Sequence, residues 1–327
     1  MVKRKFVTLA GIALMLAALI PWQAAHAQAY PAKPVQLIIP FPPGGATDIV
    51  GRLVGKKLGE HLGQAVVIEN KAGAGTVIGA SFVANAAADG YTLLISSGST
   101  FTVNPAINAR LPYDPVKSFE PIGGVARVPL ILIANRDVPV NDLAQLIAAV
   151  RAAPGKYLYG SFGNGTTGHF AAELLWNTVD IKLTHVPYKG SAPAMADLMG
   201  GQIPFAIDTV ASAQPQLRAG KIKAIVVTGS TRSSQLPEVP TVSEQGYPGF
   251  SADSWLSVFA PRGLATDVRA KLQKALAEAM TDPEIAAKLV ASGLQPAYEP
   301  AAAVAARIDT ELPRMRAIAA RAKILGD

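Results

Sequence analysis

The 327-residue sequence contains no cysteine, which excludes disulfides and thiolate metal sites. Histidine is scarce. Of the four present, His26, His61, His169 and His185, His169 and His185 are not at helical ligand spacing and no acidic cluster flanks them, so no metal and no cofactor is expected. A Gly-x-Ser-x-Gly nucleophile elbow is missing, because the clusters Ser96-Ser-Gly-Ser-Thr100 and Gly160-Ser-Phe-Gly163 have the wrong glycine spacing. There is no Gly-x4-Gly-Lys-Ser/Thr nucleotide loop. Gly73-Ala-Gly-Thr-Val-Ile-Gly79 has one residue too many for a dinucleotide fingerprint, and its glycines read as turn and helix-packing residues. Beyond the first residues no long apolar run occurs, so no membrane span is expected there. The basic excess forms no stripe of the kind that nucleic acid requires.

The first residues carry a pattern of their own. Met1-Val-Lys-Arg-Lys5 is positively charged, Leu9 to Ile20 is an apolar run closed by Pro21, and Ala25-His-Ala27 is a small-x-small site. That order is the tripartite secretory leader, with cleavage expected after Ala27. Its apolar core is shorter than the roughly 20 residues a membrane anchor needs. No cysteine follows the cut, so a lipid anchor is excluded. With Lys3, Arg4 and Lys5 gone, the net charge falls from +7 to +4. The remaining chain is long enough for a sizeable core and for two lobes.

Short β-rich runs then alternate with amphipathic stretches. Val35 to Ile39 reads as a strand, followed by a helix beginning near Thr47 or Asp48. Val66 to Ile68 and Thr92 to Ile95 read as strands flanking a helix over Gly75 to Ala87. After Pro129 the strand candidates are Leu130 to Ile133, Tyr157 to Ser161, Leu183 to Val186, Ile203 to Ile207 and Ile222 to Val227. Helices are expected over Val140 to Ala153, Thr167 to Asn177 and Ala192 to Met199, and the Ala-rich last seventy residues read as mainly helical. Such alternation implies parallel β-α-β units with helices on both faces, an α/β fold.

Glycine and hydroxyl residues crowd four strand-to-helix turns: Gly44-Gly-Ala-Thr-Asp48, Ser96-Ser-Gly-Ser-Thr100, Gly163-Asn-Gly-Thr-Thr-Gly168 and Lys189-Gly-Ser191. In a parallel sheet these turns share the carboxyl edge, where ligands bind. Each opens a helix or loop with unpaired backbone N–H groups, which attract anions. Ordinary helix capping explains any single turn; four together point to a site for a small anion.

The whole stretch from Tyr30 onward resembles a known family. Tyr30-Pro-Ala-Lys-Pro-Val, Pro40-Phe-Pro-Pro-Gly-Gly-Ala-Thr-Asp48, Glu69-Asn-Lys-Ala-Gly-Ala-Gly75 and Asp89-Gly-Tyr-Thr-Leu93 carry the resemblance, continued by Leu111-Pro-Tyr-Asp-Pro-Val-Lys117, Gly163-Asn-Gly165, His185-Val-Pro-Tyr-Lys-Gly190, Leu236-Pro-Glu-Val-Pro-Thr-Val242 and Trp255. Together they resemble the receptors of tripartite tricarboxylate transporters, the Bug family of periplasmic solute-binding proteins. The resemblance implies an α/β, two-lobe, type II-like periplasmic-binding-protein fold closing on a ligand in the cleft between lobes. By that analogy lobe one holds 28–126 plus 253–327, lobe two holds 127–252, and the crossings fall near Ala126-Arg-Val128 and Asp253-Ser-Trp255.

It further implies a monomeric periplasmic receptor that binds a small carboxylate and hands it to integral-membrane permease subunits, without catalysis. Residue by residue, the resemblance implies that the turn Phe41 to Asp48 clasps a carboxylate, with Gly45, Thr47 and Asp48 matching its motif. Ser97, Ser99 and Thr100 match the second turn. Gly165, Thr166, Thr167 and His169 match a helix start in lobe two, Tyr188, Gly190 and Ser191 match the next, and Asp208 matches an Asp of the family. Capping of the first helix is an equal reading of Asp48. Phe101 and Thr209 stand where many relatives carry other residues, and either is expected to reshape the distal pocket. Lys189 meets an anion or points to water. The alternatives are an exported α/β hydrolase or isomerase acting on a small acid, and an adaptor presenting its ligand to a sensor kinase.

Overall fold

The structure, a computed structural model, describes residues 30–322 and 324. The expected leader, with His26, lies outside the described residues. The chain begins with β1 (Val35–Ile39), α1 (Ala46–Leu62), β2 (Val66–Asn70), α2 (Val77–Ala84) and β3 (Thr92–Ser97). A turn of π-helix over Ser99–Val103 runs into the short α3 (Asn104–Ile107), and β4 (Phe119–Val128) follows. β1 pairs in parallel with β2 and β3. In α1 the buried stripe is Val50, Val54, Leu58 and Leu62, one face at helical spacing. The helix stops where Gly63 takes a left-handed conformation (φ 70°) and its N–H bonds the Gly59 carbonyl at 3.0 Å.

Pro129 separates β4 from β5 (Leu130–Asn135), which opens a second sheet. There follow α4 (Leu143–Ala152), β6 (Leu158–Ser161), α5 (Thr167–Val179), β7 (Thr184–Pro187), α6 (Ser191–Met199), β8 (Phe205–Thr209), α7 (Val210–Arg218) and β9 (Ile222–Val227). The chain then returns to the first sheet as β10 (Ser254–Pro261) and ends with α8 (Thr266–Met280), α9 (Pro283–Ala291), β11 (Gln295–Pro300) and α10 (Ala301–Ala322). The strand orders are β11-β4-β10-β3-β1-β2 and β7-β6-β8-β5-β9.

The expected parallel units exist, but neither sheet is purely parallel. β10 runs antiparallel to β3 and β4, and β5 runs antiparallel to β8 and β9. Both inserted strands arrive from the other sheet, without a crossover helix. They enter at the edge where the parallel strands end, so they must run against them.

Each sheet is covered on both faces, which is why β5 is apolar on both of its sides from Leu130 to Ala134. Leu130, Leu132 and Ala134 of β5 face one core with Leu146 and Leu175, while Ile131 and Ile133 face another with Leu198 and Ala213. In the first sheet, Leu37 and Ile39 pack with α1 and α8, and Ile38 and Leu94 pack on the opposite face. The last helix spans both halves. α10 packs on β4 and on β11, while Ile318 and Ala319 near its end join Phe170 of α5.

Three element boundaries differ from expectation for local reasons. The helix expected from Gly75 begins at Val77, because Ala74, Gly75 and Thr76 form a 3-10 turn with positive φ. α4 begins at Leu143 because Asp142 caps it, accepting from the Gln145 N–H at 2.7 Å. β8 begins at Phe205, after Pro204, which has no N–H to give a ladder.

Phe101 is a larger correction. Instead of shaping a pocket, its ring is fully buried on the face opposite α1, stacked on Phe259 at 3.8 Å and edge-on to Phe119 at 5.3 Å. Phe101→Ala is expected to lower the unfolding free energy by about 3–5 kcal/mol, read from denaturant titration. A cost below ~1 kcal/mol would show that the ring is not part of a packed core.

Candidate ligand-binding cleft

The carboxyl ends of β1 and β3 face those of β6 and β7, and the turns that follow them meet. Helix α1 starts after Gly45, whose backbone is extended (φ −86°, ψ 171°) and which offers no side-chain cap. Helix α6 starts after Gly190 (φ 107°), again without a side-chain cap. The other two helix starts nearby are capped. Thr166 Oγ1 accepts from the His169 N–H at 3.4 Å, and Thr209 Oγ1 accepts from the Ser212 N–H at 3.1 Å. The first N–H groups of a helix have no partner within it, so the starts of α1 and α6 keep donors available where Gly45 and Gly190 approach one another.

A small cavity of about 40 Å³ lies between them. From the first sheet and its turns come Phe41, Pro42, Gly45, Ala46, Thr47 and Ser97; from the second come Phe162, Thr167, Gly190, Ser191 and Thr209. No charged side chain is among the lining residues. Toward solvent the space widens into a pocket of about 510 Å³, shared between the turn at 72–77, the segment at 104–111, and the turns at 162–166 and 187–190. Phe41, Pro42, Phe162 and Gly190 line both spaces and form the neck. The two phenyl rings meet edge to face at 6.4 Å.

The halves touch directly. Ser99 Oγ accepts from the Thr167 N–H at 3.0 Å, joining the second turn of one half to the first turn of α5 in the other. Gly165 (φ 68°) sits against Asn104, where any Cβ would collide with Asn104 Oδ1. A Cβ on Gly190 would lie 2.9 Å from Pro42 Cγ. Only glycine combines these backbone angles with this approach.

The expected site residues divide into groups. Phe41, Gly45, Thr47, Ser97, Thr167, Gly190 and Ser191 line the inner cavity. Gly165, Thr166 and Tyr188 line the outer pocket, and Tyr188 is braced by its hydroxyl donating to Asp197 Oδ2 at 2.7 Å. Ser99 holds the seam. Thr100 is turned away, fully buried, in a chain of hydroxyls with Ser96 Oγ at 2.6 Å and Thr76 Oγ1 at 2.8 Å.

Of the two readings left open for Asp48, the structure shows a structural engagement, behind the cavity wall. It accepts from the Gly44 N–H at 3.1 Å, from Asn70 Nδ2 at 3.0 Å and from Arg52 Nε at 3.0 Å. Burial opposes its charge, but the bonds from Arg52, Asn70 and Gly44 outweigh burial and hold its carboxyl below the usual range. Its negative charge is thereby neutralised beside a site suited to anions.

His169 and His185 stack with ring centres 4.2 Å apart. Burial, and then the neighbouring His169, push His185 down to about 3, so it is neutral at physiological pH. Its Nε2 lies 2.7 Å from Ser161 Oγ. Ser161 is fully buried and also contacts the Gly163 backbone, which makes this pair a strut under the turn. His61, on the exposed side of α1, lies 3.5 Å from Glu278.

Asp208 lies behind Ser191, accepting from its Oγ at 2.7 Å and from the Thr209 N–H at 2.7 Å. Its other oxygen is buried without a partner. Phe162, Asn104 and Arg110 also line these spaces, and none of them was singled out from the sequence. Phe162, set between Ser161 and Gly163, was the one with a visible signal, an aromatic ring inside a glycine-rich turn.

Residues 50–324 match the family model described as "Tripartite tricarboxylate transporter family receptor". The chain belongs to this receptor family. Solved structures agree. The periplasmic binding protein BugD is 34% identical, with a TM-score of 0.86 over 91% of this chain and 100% of its own. Rpa4515 of R. palustris with adipate is 35% identical, with a TM-score of 0.87 over 90% and 99%. MatC from Rhodopseudomonas palustris with bound malate is 32% identical, with a TM-score of 0.84 over 88% and 99%. The receptor thus has the two-lobe α/β architecture of periplasmic binding proteins, with the cleft where the two sets of turns meet.

Burial pushes the Asp208 carboxyl up from 3.8 to about 6, against the hydrogen bonds from Ser191, Thr209 and Ser212. Because the folded value lies above the unfolded one, its contribution to stability is complete below pH 3.8 and is lost as pH rises through 6. Asp253, also pushed up to about 6 by burial against the pull of Arg127, acts in the same window. Asp208→Asn is therefore expected to flatten the fall in stability between about pH 4 and about pH 7. An unchanged slope in urea titrations at successive pH values would contradict this.

Proposed function

We propose that this receptor is an extracytoplasmic solute-binding protein that captures a small carboxylate between its lobes and delivers it to a tripartite tricarboxylate-type permease, without catalysis. The observation that carries this reading is the pair of helix starts without side-chain caps, at Gly45 and Gly190, which bring N–H donors from opposite lobes to one uncharged cavity. Each helix start favours an anion by about 0.3–1 kcal/mol when exposed, and by up to ~2 kcal/mol when partly buried. An inner space of about 40 Å³ suits a carboxylate head with water rather than a whole ligand. The relatives holding adipate and malate bind acids of this kind.

On this reading the lobes are 28–126 plus 253–327 and 127–252, with Arg127 and Val128 in the first crossing. The chain acts as a monomer in the periplasm after cleavage following Ala27. Thr47, Ser97, Thr167, Gly190 and Ser191 surround the carboxylate, and Phe41 and Phe162 flank the body of the ligand. The permease recognises the closed form, in which the Ser99–Thr167 bond and the Gly165–Asn104 contact are made.

Calorimetry of the chain without residues 1–27 is expected to give saturable binding to at least one member of a panel of mono-, di- and aromatic carboxylates, with the acid recovered unchanged by mass spectrometry. Binding of sugars or metals with no carboxylate response would overturn the reading, and turnover of the acid would favour a hydrolase or isomerase. Thr47→Tyr should fill the inner cavity and weaken binding about tenfold or more, ~1.4 kcal/mol, with little change in melting temperature. Unaltered affinity would place the carboxylate elsewhere.

A further inference from the structure

The wall of the inner cavity carries no charged side chain, yet a carboxyl group stands directly behind it. Ser191 Oγ lines the cavity and donates to Asp208 Oδ1 at 2.7 Å. A ligand carboxylate touching that hydroxyl therefore lies about 5–6 Å from Asp208, two hydrogen-bond lengths away. The space is only about 40 Å³, which keeps any occupant near this range. Asp208 is 1% exposed, and its hydrogen bonds come from Ser191, Thr209 and Ser212, none of them charged. Its Oδ2 has no hydrogen-bond partner among the described residues. Asp208 shares a strand face with Ala206, against α6 and α7. Those helices carry one charged residue each: Asp197, held by the Tyr188 hydroxyl, and Arg218, in the last turn of α7. β5, paired alongside, carries none. Tyr159 of β6 packs on the opposite face, with His185, His169 and Glu173 around it. Lys189 is exposed and lines the outer pocket.

We propose that Asp208 makes carboxylate capture proton-coupled: as the anion enters the inner cavity, Asp208 takes a proton from solvent onto Oδ2. This rests on the reading that a carboxylate occupies that cavity. Oδ2 is the position open to the proton, since Oδ1 already accepts from Ser191 and from the Thr209 N–H. Magnitudes decide the outcome. Two like charges about 6 Å apart, at an effective dielectric constant of about 20, repel by about a hundredfold in binding. Burial alone already brings Asp208 to about 6, so protonating it at pH 7 costs only about tenfold. A buried neutral carboxyl with one unmet bond is also cheaper than a buried charge facing another. The ligand thus favours the protonated receptor, and affinity rises as pH falls through neutrality.

Calorimetry at pH 7 in Tris and in HEPES, whose ionisation enthalpies differ, reads the protons exchanged per ligand bound. Malate, adipate, butyrate and benzoate serve as probes, all of them ionised at that pH. Each probe that binds the wild-type chain without residues 1–27 is expected to bring in about 0.5–1 proton, and its affinity to fall about tenfold between pH 6.5 and pH 8. In Asp208→Asn both effects should vanish while binding persists. Infrared difference spectra of the wild type, with the ligand isotope-labelled at its carboxyl, read the same event without a variant, as a new protonated-carboxyl band that the label does not move. Binding without proton uptake, or uptake that survives Asp208→Asn, overturns the proposal and leaves the carboxylate site standing. If none of the probes binds the wild-type chain, the carboxylate reading falls and proton coupling falls with it.

Discussion

The molecule is organised around backbone N–H groups that its own helices cannot satisfy. Every helix leaves donors open at its start, and most chains close them with a Ser, Thr, Asp or Asn side chain. Here Thr166, Thr209 and Asp142 do so, but Gly45 and Gly190 do not. Those two glycines lie on opposite lobes and meet at the same cavity. Much of the surrounding chemistry follows from that. The cavity wall carries hydroxyls and no charge, and Asp48, next to the lining residue Thr47, is neutralised by Arg52 behind the turn. Asp208, buried beneath Ser191, is held toward its uncharged form.

Placing these donors across a gap demands that two chain segments approach to backbone distance. Gly165 against Asn104 and Gly190 against Pro42 meet that demand, and the Ser99–Thr167 bond fixes the alignment. The mixed sheets serve the same end. β5 and β10 enter at the cleft edge, so the crossings begin beside the site.

Much of this was legible in residue patterns. The alternation of β-rich runs and amphipathic stretches gave the α/β class, and the four glycine–hydroxyl turns, any one of which capping could explain, come together along one cleft. β4 escaped, since Pro121, Gly123 and Gly124 read as loop although the strand is mostly buried and paired on both sides. Phe101 and Thr100 sit in a turn that the sequence marks as functional, yet a π-helical turn aims both away from the cleft. Side-chain direction in such a turn depends on tertiary packing. Asp48 illustrates the same limit: its partners Asn70 and Arg52 lie on different elements, and no local pattern joins all three.

The C-terminal helix ties the two halves together at a place apart from the crossing strands. Anchored on the first sheet by β4 and β11, α10 also presses Ile318 and Ala319 against Phe170, one turn into α5. None of the residues in this apolar contact lines either space of the cleft. If solute capture parts the halves, this seam has to break as well, and trimming one methyl group there would change residence time rather than recognition.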